Sequence, residues 1–294
     1  MSQKRKKQKT TMRNNLIYIL IFLLLGGTVF SQNITIDANG TVKCPGLPVG
    51  YEEQINIPGI GTVTSTVVNN AALIEFRDTG SFTTSGGKTV TPANMSCVCT
   101  TRVTDMSSLF FDKGTFNENI SNWDTSNVEN MYELFRNAHD FDQDLSTWDT
   151  SKVTNMSKMF DRAHDFNNGG NPSMFSNVSS VTTMFAMFWD ARKFNRDIGS
   201  WDVSNVINMG EMFRGAQIFN NGNNSNPIES WTVSNVTSMN QMFRGAKEFN
   251  RPLNNWDVRN VRNMGSMFRA AEKFDQPLNS WETLELTNIN NMFR

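Results

Sequence analysis

The stretch VTNMSKMFDRAHDF, residues 153–166, decides the reading, because its spacing of apolar residues returns seven more times between Val103 and Arg294. Aligned on the first apolar residue, the units begin at Val103, Val128, Val153, Val181, Val206, Val236, Val261 and Leu286. The steps between them are 25, 25, 28, 25, 30, 25 and 25 residues. A fixed period of this size is the signature of a stacked repeat architecture. The template reads V-x-x-M-x-x-(M/L)-F-x-x-A-x-x-F-(N/D)-x-x-(I/L)-x-x-W-D-x-S-x, and no nucleophile, base and orienting group recur in it.

Within one unit, Met156, Met159, Phe160 and Ala163 follow i, i+3, i+4, i+7 spacing, which predicts a short helix with one apolar stripe. Thr154 and Asn155 stand where an N-cap would. Phe166 turns the chain back toward the core. The next segment, as in Ile198, Trp201, Val203 and Val206, alternates like a short strand and has the rhythm of a leucine-rich repeat. The expected fold is therefore an α/β solenoid, a leucine-rich-repeat-like stack of short strand plus short helix units. Each apolar side chain contributes about 1.5–3 kcal/mol if fully buried, whereas ordering costs roughly 1.5 kcal/mol per residue. A single unit cannot bury both of its flanks, so stability must come from the array.

Two units are longer than the rest, and both carry their extra residues after the F-N step, in NNGGNPSMF (167–175) and NNGNNSNPI (220–228). Their Gly, Asn and Pro content predicts surface loops. The third unit lacks the tryptophan, with Phe175 near its place, and the first has Lys113 where alanine belongs.

The W-D-x-S, M-F and F-N elements at fixed spacing resemble the BspA-like, leucine-rich-repeat-related surface proteins, and the resemblance spans Val98 to Arg294. It implies an exported repeat protein used in attachment or recognition, with no catalytic residues to transfer.

Ahead of the repeats, residues 32–97 lack the period. Runs such as INIPGIGTVTSTVV predict short strands joined by turns, and Asn70 to Arg77 fits a two-turn helix. This segment is expected to act as a small β-rich N-terminal cap module on residues 98–294, a solenoid of seven repeats plus a truncated eighth; a separate binding domain is the alternative. Cys44 and Cys97 lie in this segment and Cys99 just beyond it. One disulfide, Cys44 with either Cys97 or Cys99, would pin it, leaving the third thiol free or paired with another chain.

Residues 1–31 read as a secretory signal peptide. Lys4, Arg5, Lys6, Lys7, Lys9 and Arg13 precede the apolar run from Leu16 to Leu25, and Val29 and Ser31 are small enough for cleavage after Ser31. An uncleaved anchor is the alternative, although the run is short for a bilayer span. Secretion or cell-surface display, in a bacterium, is the expectation. Removing those six cations leaves 21 Lys and Arg against 28 Asp and Glu, from the total of 27 and 28, which argues against a nucleic-acid partner.

Few residues in the repeats suggest chemistry. If the W-D-V segment turns Trp and Val inward, the Asp between them faces out. Asp124, Asp149, Asp202 and Asp257 then form an acidic stripe that ends at Glu282 and is interrupted at 176–177 and Thr232. Such a stripe could bind a basic partner or a cation; the plainer reading is that each carboxylate accepts bonds within its own D-x-S turn. Calcium needs several converging oxygens, which one carboxylate per unit does not supply. Asn117, Asp142, Asn167 and their equivalents read as an internal ladder, the methionines as core rather than a copper site, and Arg136, Arg214, Arg244 and Arg269 as a solvated face. His139 and His164 share one repeat position without a third ligand, so no metal site and no cofactor is expected. Asn-x-Ser/Thr triplets at Asn33, Asn119, Asn155, Asn177 and Asn235 would matter only in a eukaryotic secretory route.

The expected function is adhesion to or recognition of a protein or glycan partner on a cell or matrix surface, without catalysis. A spacer that presents another domain, or that self-associates through an open C-terminal repeat, is the alternative.

Overall fold

A computed structural model describes residues 33–294 apart from 59, 85–86, 176 and 223–226, and Ile34–Arg294 form one compact unit. The expected signal segment lies outside the described residues. Among the described residues, no helix is long and apolar enough to cross a membrane.

The first part is built from short strands. β1 (Thr35–Ile36) and β2 (Val42–Lys43) form a small antiparallel pair. β3 (Glu52–Ile57) pairs antiparallel with β4 (Gly61–Asn69), which pairs in parallel with β7 (Val98–Arg102). Between them lie the helix α1 (Asn70–Thr79), the pair β5 (Phe82–Thr83) and β6 (Thr89–Val90), and a 3-10 turn, Pro92–Cys97. The side chain of Asn69 accepts from Ala72 N at the start of α1, and Gly80 at φ 83° ends it. Buried Leu73 and Phe76 face the core, and the Phe76 ring meets Phe110 of the first repeat edge-on at 6.0 Å. Cys44 is disulfide-bonded to Cys99, leaving Cys97 as a free, half-buried thiol.

The repeats themselves contradict the expected α/β solenoid of strand plus helix units. From Val103 onward the described residues form no α-helix and no named strand; the chain is a succession of tight turns, with 3-10 turns at Asn168–Gly170 and Ile228–Ser230. The deciding residues are those with left-handed backbone, two within the M-x-x-(M/L)-F-x-x-A stretch of each full unit. In the third unit they are Lys158 (φ 56°) and Arg162 (φ 57°), and in the second Glu133 (φ 55°) and Asn137 (φ 59°). An α-helix of L-residues cannot carry a left-handed residue every fourth position.

These residues instead occupy the third place of four-residue turns, closed by Met159 N donating to Met156 O at 3.2 Å and Ala163 N to Phe160 O at 3.0 Å. Alternate N–H groups point out of the unit. Met156, Lys158, Phe160 and Arg162 donate to the carbonyls of Thr183, Phe185, Met187 and Trp189 in the next coil, at 3.1, 2.8, 2.8 and 2.6 Å. Each left-handed residue costs about 1–2 kcal/mol, offset by inter-coil bonds of about 0.5–1.5 kcal/mol apiece. Two consecutive four-residue turns also send residues inward at intervals of three, one and three, which is why Met156, Met159, Phe160 and Ala163 mimic a helical stripe. The expected strand through the W-D-V segment, Ile198 to Val206 in one unit, does not form either; the parallel bridges that join Asp105, Asn130, Asn155, Thr183 and their successors fall after it, at the place expected of the helix N-cap.

Aromatic columns run the length of the stack. Phe110, Phe135, Phe160, Phe188, Phe213, Phe243, Phe268 and Phe293 follow one another with ring centroids 5.4–5.7 Å apart. Each of the first seven also stacks on the second phenylalanine of its own unit, at 3.9 Å for Phe213 and Phe219. Tryptophan pins each coil to the one before: Trp148 Nε1 donates to Ile120 O at 3.1 Å and Trp256 Nε1 to Ile228 O at 2.9 Å. In the unit without tryptophan, Phe175 stacks on Trp201 at 5.5 Å while its carbonyl accepts from Trp201 Nε1 at 3.0 Å.

A polar column accompanies the rings. Asn117 Oδ1 accepts from Asp142 N, Asp142 Oδ1 from Asn167 N, and the pattern continues through Asn195, Asn220, Asn250 and Asp275 at 2.8–3.0 Å. The two longer units begin their extra residues on this column. Asp142 and Asn195 accept a second bond, from Gly169 N and Gly222 N, both at 2.9 Å. Asn168 and Asn221, expected in surface loops, are fully buried and accept from Leu145 N and Ile198 N of the preceding coil.

Candidate recognition surface

The W-D-x-S segments form one long edge of the stack. Trp148, Trp201 and Trp256 are buried, as are Thr150, Val203 and Val258 two residues on, so the residue between them is turned outward. Asp149, Asp202, Thr232 and Glu282 are exposed, and Asp257 is partly so. Asp124 does not belong with them. Its side chain is only 2% exposed and lies against Lys43 Nζ at 2.6 Å, with Thr101 Oγ1 donating at 2.6 Å. Burial pushes its carboxyl upward, but the bonds from Lys43, Thr101 and Ser126 outweigh it and hold Asp124 below the ordinary carboxylate range. The stripe therefore starts at Asp149, because a lysine from β2 covers the first position. No residue of the repeats signals that partner.

Each outward aspartate also closes a local turn. Asp149 Oδ1 accepts from Ser151 N at 2.9 Å and Asp202 Oδ1 from Ser204 N at 3.1 Å. The bonds from Ser204, side chain and backbone, lower the Asp202 pKa. Asn177 forms the same turn with Ser179 N at 3.1 Å without a charge. At Asp257 both oxygens are occupied by Arg259, Nε at 2.8 Å and Nη2 at 2.6 Å, which lowers the Asp257 pKa. Asn254, Asn255, Asp257, Arg259, Ser280 and Glu282 line a shallow open depression of about 380 Å³ beside it.

The carboxylates are thus spread along the edge, with Asn177 and Thr232 between them. Among the described residues, no group of three or more His, Cys, Asp or Glu could hold a metal ion. The two histidines stack on each other, centroids 4.6 Å apart, and His164 Nε2 lies 3.2 Å from Asp190 Oδ2. Burial and then Arg192 lower the His164 pKa against the opposing pull of Asp190. The methionines from Met106 to Met267 that fill the template positions are buried.

Three consecutive, overlapping segments, residues 80–176, 174–226 and 218–294, match the repeat family described as Mycoplasma protein of unknown function, DUF285. The chain belongs to this family. The DUF285 matches begin just after α1 and run to Arg294, so they take in the end of the strand-rich part as well as every turn-built coil. Neither the curated proteins nor the solved structures contain a match to the chain. Membership fixes the repeat and carries no activity with it; the finer likeness to BspA-like proteins rests on the sequence motifs alone.

Proposed function

We propose that this DUF285 protein is an exported, non-enzymatic surface protein of BspA-like type that recognises a protein or glycan partner through the outward edge of its W-D-x-S segments. The observation that carries this reading is the combination of exposed Asp149 and Asp202 with a backbone fixed on both sides by buried rings and inter-coil hydrogen bonds. Side chains held this way lose little freedom on binding, which favours affinity. The basic run and apolar segment at residues 4–25 support export.

Replacing Asp149 and Asp202 together with asparagine tests it. Asparagine keeps the turn, as Asn177 does, and removes the charge. Screened on an array of extracellular-matrix proteins and glycans, the wild-type chain is expected to bind at least one spot that D149N/D202N loses, with unchanged melting temperature. Identical array patterns for both chains would defeat the reading.

A further inference from the structure

A second face of the stack changes character halfway along. It carries the residue that follows the first phenylalanine of each coil: Phe111, Arg136, Asp161 and Trp189 in coils one to four, then Arg214, Arg244, Arg269 and Arg294 in coils five to eight. In the first half the cations are neutralised within the protein. Arg136 Nη1 donates to Glu133 Oε1 at 2.6 Å, and its Nε lies 3.0 Å from the buried Asp161 carboxylate. Lys158 reaches Glu133 at 3.2 Å, and Arg162 lies 3.9 Å from the same Asp161 carboxylate.

In the second half that neutralisation is removed step by step at one repeat position, three residues before the arginine. In coil five Glu211 pairs with Arg214 at 2.6 Å. In coil six Gln241 accepts the same bond from Arg244 Nη1, also at 2.6 Å, and supplies no charge. In coil seven the position is Ser266, and the Arg269 guanidinium has no hydrogen bond or ion pair among the described residues. Burial, then Arg214 and Arg269, lowers the Arg244 pKa, as expected of a cation placed between two others. Beside this file the next residue is Gly215, Gly245 or Ala270, where the earlier coils have Arg162 and Asp190. The arginines therefore border a strip with almost no side chains.

We propose that Arg244 and Arg269, with Arg214, form a binding lane for an acidic polysaccharide, a linear chain that bears sulfate or carboxylate groups. The guanidinium fork matches those anions with paired N–H donors. The cations stand in single file, one per coil, with 5.6 and 5.7 Å between the stacked rings beneath them. That suits a chain with separated charges and not a duplex, in which each strand alone carries one charge per about 3.4 Å of axis. Single-stranded nucleic acid would need aromatic platforms for its bases; the partly exposed aromatics of this face, Phe111, Tyr132, Phe185 and Trp189, all lie in coils one to four, and Trp189, the one that reaches the lane, is already engaged by Arg162 at 4.7 Å and Arg214 at 4.5 Å. The lane is separate from the W-D-x-S edge and would stand if that edge bound nothing.

Binding of the full chain to immobilised heparin, followed as a function of salt, tests the lane. The wild type is expected to bind and to weaken steeply with salt. R244Q/R269Q should bind at least about tenfold more weakly, with a flatter salt dependence and unchanged melting temperature. R244K/R269K, which keeps the charge but lacks the fork, should fall between the two, and K193Q, outside the lane, should match the wild type. Heparin stripped of sulfate but retaining its carboxylates separates the two anions: retention assigns carboxylate, loss assigns sulfate. Failure of wild type to bind heparin, equal binding by R244Q/R269Q, or tighter binding of a thymidine oligonucleotide or polyglutamate than of heparin would each overturn the proposal.

Discussion

Residues 34–102 and residues 103–294 share one compact unit, yet they satisfy their backbones in opposite ways. The first region uses a three-stranded sheet, a capped helix and a disulfide, so its order comes from conventional elements and one covalent link. The second divides its N–H groups between turns inside a coil and carbonyls of the neighbouring coil. A coil therefore holds its shape only in company. The comparison teaches that a period of 25 residues can be filled without helix or strand, provided that rings and side-chain amides repeat in register.

The largest effect that should separate the two regions is the loss of a ring from the column. Phe213 stacks on Phe188, Phe219 and Phe243, so F213A is expected to cost about 3–5 kcal/mol in denaturant unfolding of the full chain. In the first region the equivalent blow is covalent. C44S/C99S opens a link across 55 residues and should cost about 2–4 kcal/mol. Hydrogen exchange should show protection lost first in β2, β4 and β7, with the later coils little changed; uniform loss would erase the distinction drawn between the regions. A smaller effect is expected from the polar column. N195A leaves the N–H groups of Asn220 and Gly222 without their acceptor, for about 1–2 kcal/mol. A melting temperature equal to wild type would show that water replaces the column at no cost.

Much of this was legible in the sequence. The inward positions, the phenylalanine and tryptophan columns and the F-(N/D) column all follow from the period, because identical residues at identical intervals must stack. The local conformation did not follow, since Met156, Met159, Phe160 and Ala163 satisfy a helix and a pair of turns equally well. The discriminating signal was FRGA, which places Gly215 and Gly245 directly before the alanine, at φ 72° in both coils. Glycine twice in the interior of an expected helix indicated a left-handed site. At the candidate surface, the outward turn of Asp149, Asp202 and Asp257 could be read from the W-D-T and W-D-V alternation. The burial of Asp124 could not, because Lys43 lies 81 residues away in a segment outside the period. Nor could the buried Asn168 and Asn221, whose partners Leu145 and Ile198 belong to the preceding coil.

The claim that the repeats are turns and not helices is tested most directly at Ala270. This exposed residue has φ 57° at the third place of its turn, and its N–H donates to Arg294 O at 2.9 Å. Glycine adopts that conformation without steric cost, so A270G is expected to leave stability unchanged or to raise it by up to about 1 kcal/mol. Were residues 264–271 helical, the same substitution would lower stability by about 1 kcal/mol, and a drop of that size in the unfolding free energy of A270G would contradict the account.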